Sequence, residues 1–119
     1  NVNQLDSSSI VDDDKGLTAA MINNYVKNGH LDKPIKKKYN RRQLARLIVI
    51  TCLKNVFSIQ EISKTINSLT VEESSETMYN NFVMCMNGEM REGLSEVIVA
   101  ACDTVRSYKK THDLLEKLN

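Results

Sequence analysis

An all-helical fold is predicted for this chain by three observations. Glycine is scarce, at 4 of 119 residues, and Pro34 is the single proline, so little in the sequence interrupts a helix. Leu, Ile, Val, Met, Lys and Glu recur at spacings of three and four through most of the length. Three capping-box patterns stand before apolar runs: Asn40 with Gln43, Ser58 with Glu61, and Thr70 with Glu73.

Residues 1–16 (NVNQLDSSSIVDDDKG) are polar and rich in Ser and Asp, so an arm or loop is expected there, with room for a short helix at most. Thr18 suits an N-cap and Gly29 the left-handed residue just past a helix end, with Met21, Ile22, Tyr25 and Val26 as the inward face between them. The following HLDKPIKKKY cannot bury itself and reads as an extended connector or a clipped hairpin. Asn40 then caps a helix running to about Asn55, with Leu44, Leu47, Ile48, Thr51 and Cys52 repeating at three and four. Ser58 opens a short helix with Ile59, Ile62 and Ile66 inward, and Thr70 opens another ending near Asn87 and Gly88. The second of these carries Val71, Met78, Tyr79, Phe82, Val83 and Met86 on one face, a core face rather than an exposed groove. From about Met90 a long helix is expected, with a wide stripe of Leu94, Val97, Ile98, Ala101, Val105, Tyr108, Leu115 and Leu118. Such breadth suits a docked helix better than a two-stranded coiled coil, whose second seam would hold Thr104 and Thr111.

Composition excludes several classes. No apolar run approaches the roughly 20 residues of a membrane span, and the longest, LARLIVITCL at 44–53, is interrupted by Arg46 and Thr51. Cys52, Cys85 and Cys102 are too few and too widely spaced for a disulfide scaffold, so they read as core thiols, Cys85 and Cys102 buried, in a reducing compartment; the cytoplasm is the expected location. His30 and His112 stand at no metal-ligand spacing, and neither a metal nor another cofactor is expected. No GxSxG, HExxH, phosphate loop or glycine-rich dinucleotide turn occurs, so no enzyme is expected. Asp12, Asp13 and Asp14 read as a solvated acidic tail, since a divalent-ion site needs fixed ligands.

The net charge of +1 hides an uneven distribution. Residues 1–26 carry one Lys against four Asp, residues 27–54 nine Lys and Arg against Asp32, and residues 55–119 six cations against ten anions. A basic island between acidic flanks can steer a polyanion even when the total charge is near zero. On the helix after Thr18, the polar Asn23, Asn24 and Lys27 fall away from the apolar side, where they could reach base edges or phosphates; Asn pairs with adenine through two hydrogen bonds. Lys33, Lys36, Lys37, Lys38, Arg41 and Arg42 would supply phosphate contacts, aided by the N-terminus of the helix capped by Asn40. The competing reading is a solvated loop beside an inert exposed helix face.

The stretches LTAAMINNYVKNGHL and KKKYNRRQLARLIVITCLKNVFSIQEI resemble the winged-helix module of MerR-type transcriptional regulators, and more closely a bacterial family, domain of unknown function 1836. The resemblance spans about Leu17 to Ile66. Where the MerR pattern has Thr-Ile-Arg-Tyr-Tyr before a Gly-Leu-Leu-Pro turn, this chain has Met21, Ile22, Asn23, Asn24 and Tyr25 before Gly29, His30 and Leu31. Tyr39 matches the tyrosine before a capped helix, and Val56, Phe57, Ser58, Ile59, Gln60, Glu61 and Ile62 approach Gly-Phe-Ser-Leu-x-Glu-Ile. The wing between Gly29 and Leu44 is shorter than in the pattern, and the first helix of the helix-turn-helix has no counterpart in residues 1–16. That scaffold helix is expected to lie outside the sequence, which starts at Asn1 and not at a methionine.

The resemblance implies an all-α, MerR-like winged helix-turn-helix with a reduced wing and additional C-terminal helices. Its expected parts are an N-terminal arm or remnant of the scaffold helix at 1–16, a DNA-binding region at 17–68, and a helical extension at 69–119 through which two copies would pair as a homodimer. The expected function is that of a transcriptional regulator binding double-stranded DNA, with an effector ligand left open. Its contact set is Thr18, Asn23, Asn24, Tyr25, Lys27, Lys33, Lys36, Lys37, Lys38, Tyr39, Arg41 and Arg42. The alternative is a non-catalytic helical protein-interaction module with a degenerate DNA-reading helix.

Overall fold

A computed structural model of the chain describes residues 4–6, 17–71, 74–89 and 92–118. Among these, five helices and one two-stranded sheet follow in the order β1 (Gln4–Asp6), α1 (Ala19–Lys27), β2 (Lys38–Asn40), α2 (Arg41–Leu53), α3 (Ile59–Leu69), α4 (Ser75–Met86) and α5 (Glu96–Glu116). The expectation of a mostly helical chain holds. The arm does not hold a helix at its described residues: Gln4, Leu5 and Asp6 pair antiparallel with Asn40, Tyr39 and Lys38. A strand of three residues is too short for an alternation of apolar and polar positions to show, and its partner is far along the chain. The acidic run Asp12–Asp14 lies outside the described residues.

Local chemistry sets most helix ends. Thr18 caps α1, its hydroxyl accepting from the Met21 N–H at 3.1 Å. At the other end the His30 N–H reaches the Tyr25 carbonyl and the Gly29 N–H that of Val26, a closure that needs the left-handed backbone of Gly29 (φ +79°). Both the Asn40 and the Ser58 capping boxes form, with side chain and backbone satisfied reciprocally. The third expected box does not open α4. Thr70 keeps a near-helical backbone as the C-cap of α3 and its hydroxyl donates back to the Ile66 carbonyl, whereas Ser74 takes the extended conformation an N-cap requires and accepts from the Thr77 N–H at 3.0 Å. Glu73 lies outside the described residues, and Val71 is 81% exposed rather than part of the inner face.

The helix expected from Met90, itself outside the described residues, starts at Glu96, after the left-handed Gly93 and the Ser95 cap. It docks by its first half alone. Ile98, Cys102 and Val105 are buried, but every residue from Lys109 to Leu118 is exposed, including Leu115 and Leu118 of the expected stripe.

The core is organised round α2, which touches α3, α4, α5 and β2. Its sequence explains this position, because a nearly continuous apolar run offers side chains in several directions. Ala45, Leu47, Val49, Ile50 and Leu53 are buried, while Ile48, expected inward, is 44% exposed and Leu44, Thr51 and Cys52 are half-buried. Periodicity could not choose a face in such a run, since each of several registers looks apolar. Met78, Phe82 and Cys85 of α4 and Cys102 of α5 close the core from the other side, with Met86 packed at its edge. Complete burial of a side chain the size of Ile50 is worth about 1.5–3 kcal/mol. At the end of α4 the Arg106 guanidinium donates to the Cys85 carbonyl, placing a cation where the helix dipole is negative.

One side chain ties the connector to this scaffold. The Gln43 carboxamide oxygen accepts from the Asn40 N–H at 2.7 Å, and its nitrogen donates to the carbonyls of Asp32 (3.0 Å) and Lys33 (2.9 Å). Gln43 is buried, so removing it leaves backbone groups without partners. Gln43→Ala is expected to lower unfolding stability by ~2–4 kcal/mol in urea titrations; a change under about 0.5 kcal/mol would mean the connector is held by other contacts.

A second expectation concerns alkaline pH. The Cys102 thiol is pushed up to about 12, first by burial and then by its hydrogen bond with Cys85, and burial also raises Tyr25 and Tyr39. Below the ordinary thiol value near 9 the folded and unfolded chains both hold the Cys102 proton; above it only the folded chain does. Stability therefore falls as pH rises from about 9 towards 12, and Cys102→Ala should make that decline shallower in denaturant titrations across the window. An unchanged slope would remove Cys102 as a contributor.

Candidate nucleic-acid interface

The expected contact residues divide into those that reach solvent and those that build the core. Asn23, Asn24 and Lys27 are exposed on α1, opposite the buried Ile22 and Tyr25. Asn24 is already engaged, its side-chain oxygen accepting from the Asn28 carboxamide at 3.1 Å, whereas the Asn23 carboxamide has no hydrogen-bond partner among the described residues. Thr18 is half-buried and uses its hydroxyl in the α1 cap.

Tyr25 and Tyr39 are core residues, at 7% and 2% exposure. Their expected place in the contact set came from the resemblance. Packing explains their presence instead: Tyr25 anchors α1, and Tyr39 anchors β2 beside α2. Neither ring can stack on or against a nucleic acid from that position.

The connector is a clipped hairpin, one of its two expected forms. Ile35 and Lys38 exchange backbone hydrogen bonds of 2.9 Å in each direction around a two-residue tip. The tip residues are Lys36 and Lys37, with φ of 51° and 64°. Positive φ at both central positions is the geometry that Asn-Gly adopts with least strain; for lysine it costs about 1–2 kcal/mol per residue. Lys33, Lys36, Lys37 and Lys38 are all exposed, so no burial offsets this strain.

Arg41 and Arg42 occupy the first turn of α2 and are likewise exposed. Arg41 sits 3.6 Å from Glu76 at the start of α4, each side chain 64% exposed, an ion pair of the weak, salt-screened kind. The N-terminal backbone donors of α2 are partly taken up by the Asn40 cap. Thus, among the described residues, Arg41 of the expected pair has an ion-pair partner and Arg42 has none.

The expected contact set does not include Arg46, although an arginine inside an apolar run is a signal. It is half-buried; its Nε donates to the His30 carbonyl and its Nη2 to the Ser63 hydroxyl at 2.9 Å. Burial lowers its affinity for the proton, Asp32 partly restores it, and Arg42 opposes it. Arg46 therefore joins the end of α1 to α2 and α3, as Gln43 joins the connector to α2. Together they gather the C-terminal end of α1, with Lys27, the connector at Lys33 and the hairpin round the first two turns of α2.

Among the described residues no group of three or more His, Cys, Asp and Glu could hold a metal ion, and no helix is long and apolar enough to cross a membrane. No curated protein and no solved structure matches the chain. A family model described as Domain of unknown function (DUF1836) does match, over residues 2–82, from the start of the chain past β1 and into α4. The match begins before the resemblance read at Leu17 and ends beyond Ile66, leaving α5 outside it. With more than half of its length covered, including every tie between connector and scaffold, the chain belongs to that family.

Proposed function

We propose that this chain is a MerR-like winged-helix module that binds double-stranded DNA, acts in transcriptional regulation, and works as a homodimer. The observation that carries the reading is the hairpin tip. Two lysines hold a backbone conformation that glycine and asparagine adopt more cheaply, with their side chains exposed and, among the described residues, no side-chain hydrogen bond or ion pair that offsets the strain. Strain kept without a structural return points to a use for the charge. In this reading Lys36 and Lys37 grip the phosphate backbone as a short wing, Lys33, Lys38 and Arg42 extend the grip, and Asn23 and Lys27 of α1 face the major groove. Lysine binds phosphate as a point charge, so the wing supplies affinity and α1 supplies choice of sequence. Leu114 and Leu115 on the exposed outer half of α5, with Leu118 just past it, offer an apolar surface through which two copies could pair. The same leucines favour the second reading, a helical protein-interaction module whose lysines serve solubility.

Duplex titrations at several salt concentrations distinguish the two. Binding by the proposed module should weaken steeply with salt, and replacing Lys36 and Lys37 by Asn and Gly should flatten the log–log slope by roughly one unit for each phosphate no longer neutralised. The same double variant should be more stable by about 1–2 kcal/mol in urea, because the tip strain is relieved. Absence of saturable DNA binding at low salt would favour the interaction module. Asn23→Ala is expected to change preference among duplexes more than overall affinity, losing on the order of 1–3 kcal/mol of discrimination at one base pair; equal loss on random and selected duplexes would remove Asn23 from base reading.

A further inference from the structure

Two clefts meet on the side of α2 that faces α4. The larger, about 670 Å³, has an apolar wall of Leu44, Ala45, Ile48 and Tyr79 and is rimmed by Arg41 and Glu76. Its volume falls within the roughly 300–1,000 Å³ typical of small-molecule sites. The smaller, about 190 Å³, is polar and is walled by His30, Asp32, Arg46 and Asn67. Arg42, Thr70 and Ser75 line both, so the apolar cleft ends where the polar one begins.

Charge is arranged along the same axis. Among the described residues the walls hold three arginines against Asp32 and Glu76. Arg41 and Glu76 pair with each other at the rim, leaving Arg42 and Arg46 against Asp32 at the junction. Arg46 has five N–H donors and directs them to a carbonyl and a hydroxyl, with no carboxylate among its hydrogen-bond partners. Burial disfavours the charge of this guanidinium, Asp32 offsets that only in part, and Arg42 adds to it, so the junction keeps a surplus of positive charge that a further anion would balance.

We infer that the paired clefts bind a small amphiphilic anion, its apolar body along Leu44, Ile48 and Tyr79 and its carboxylate or phosphate head at Arg42 and Arg46. Such a ligand would press on the elements that hold the wing. Arg46 holds the carbonyl of His30 just after α1, and Asp32, which lines the polar cleft, is held by Gln43 through its own carbonyl. Occupancy would therefore bias the positions of α1 and the hairpin, which under the DNA-binding reading makes the ligand an effector.

The test uses the protein without DNA, so its failure leaves the DNA reading untouched. Decanoate, decyl alcohol and inorganic phosphate are titrated by calorimetry below the concentration at which decanoate forms micelles. Decanoate should bind saturably at one site per chain, and both other probes at least tenfold more weakly. Arg42→Gln and Ile48→Asp, both at exposed positions, should each weaken decanoate at least tenfold while circular dichroism shows the fold retained. Three results would overturn the inference: no saturable decanoate binding, decyl alcohol or phosphate binding as tightly as decanoate, or decanoate binding unchanged in both variants. Sedimentation of the free protein adds a fourth, since a dimer dispersed by Ile48→Asp would assign the cleft to a second copy of the chain.

Discussion

The arrangement rests on one buried carboxamide. Gln43 closes the Asn40 capping box with its oxygen and holds two consecutive connector carbonyls with its nitrogen, so helix initiation and loop placement are a single event. A glutamate would keep the first role and lose the second, since a carboxylate accepts and does not donate. A lysine or arginine would do the reverse. Only a carboxamide serves both, and at the third position of a helix only glutamine has the reach that the capping box uses.

Around that point the molecule keeps two kinds of unfavourable chemistry next to each other. Arg46 carries a half-buried guanidinium whose hydrogen bonds go to a hydroxyl and a carbonyl, and the Lys36–Lys37 tip carries left-handed backbone without glycine. Neither contributes to the apolar packing of α2 against α4 and α5, which is where the stability resides. Both lie on the connector side, within the stretch of the chain that concentrates positive charge. A well-packed scaffold can sustain such strain because its own contacts over-determine the geometry.

The parts of this fold that are written locally were legible. Thr18, Asn40, Ser58 and Gly29 each mark a helix end by what one side chain or one φ value can do within four residues. What failed was decided at longer range. Thr70 and Glu73 fit a capping box as well as Ser58 and Glu61 do, but α3 continued to Thr70 before α4 could begin, and the competition between neighbouring elements is invisible in either motif. The strand at Gln4–Asp6 exists only through a distant partner, with Leu5 registered against Tyr39. For the site, charge and exposure of Lys27, Lys33, Lys36, Lys37, Lys38, Arg41 and Arg42 were readable, since charged side chains seek water. The roles of Tyr25 and Tyr39 were not: a motif keeps an aromatic residue for packing and for contact alike, and only burial distinguishes them.

The outer half of α5 leads to a different property. Past Tyr108 the chain stays helical to Glu116 with its side chains exposed; the Tyr108 and His112 rings meet at 4.8 Å one turn apart, and the Thr111 hydroxyl donates back to the Ser107 carbonyl. A segment of that length would not hold helical winding by itself, because starting a helix is the unfavourable step and adding turns is nearly free. Its order is thus propagated outward from Ile98, Cys102 and Val105, so this half of the helix has the least support from the core, and any surface laid against Leu114 and Leu115 would be registered there first, as slower hydrogen exchange.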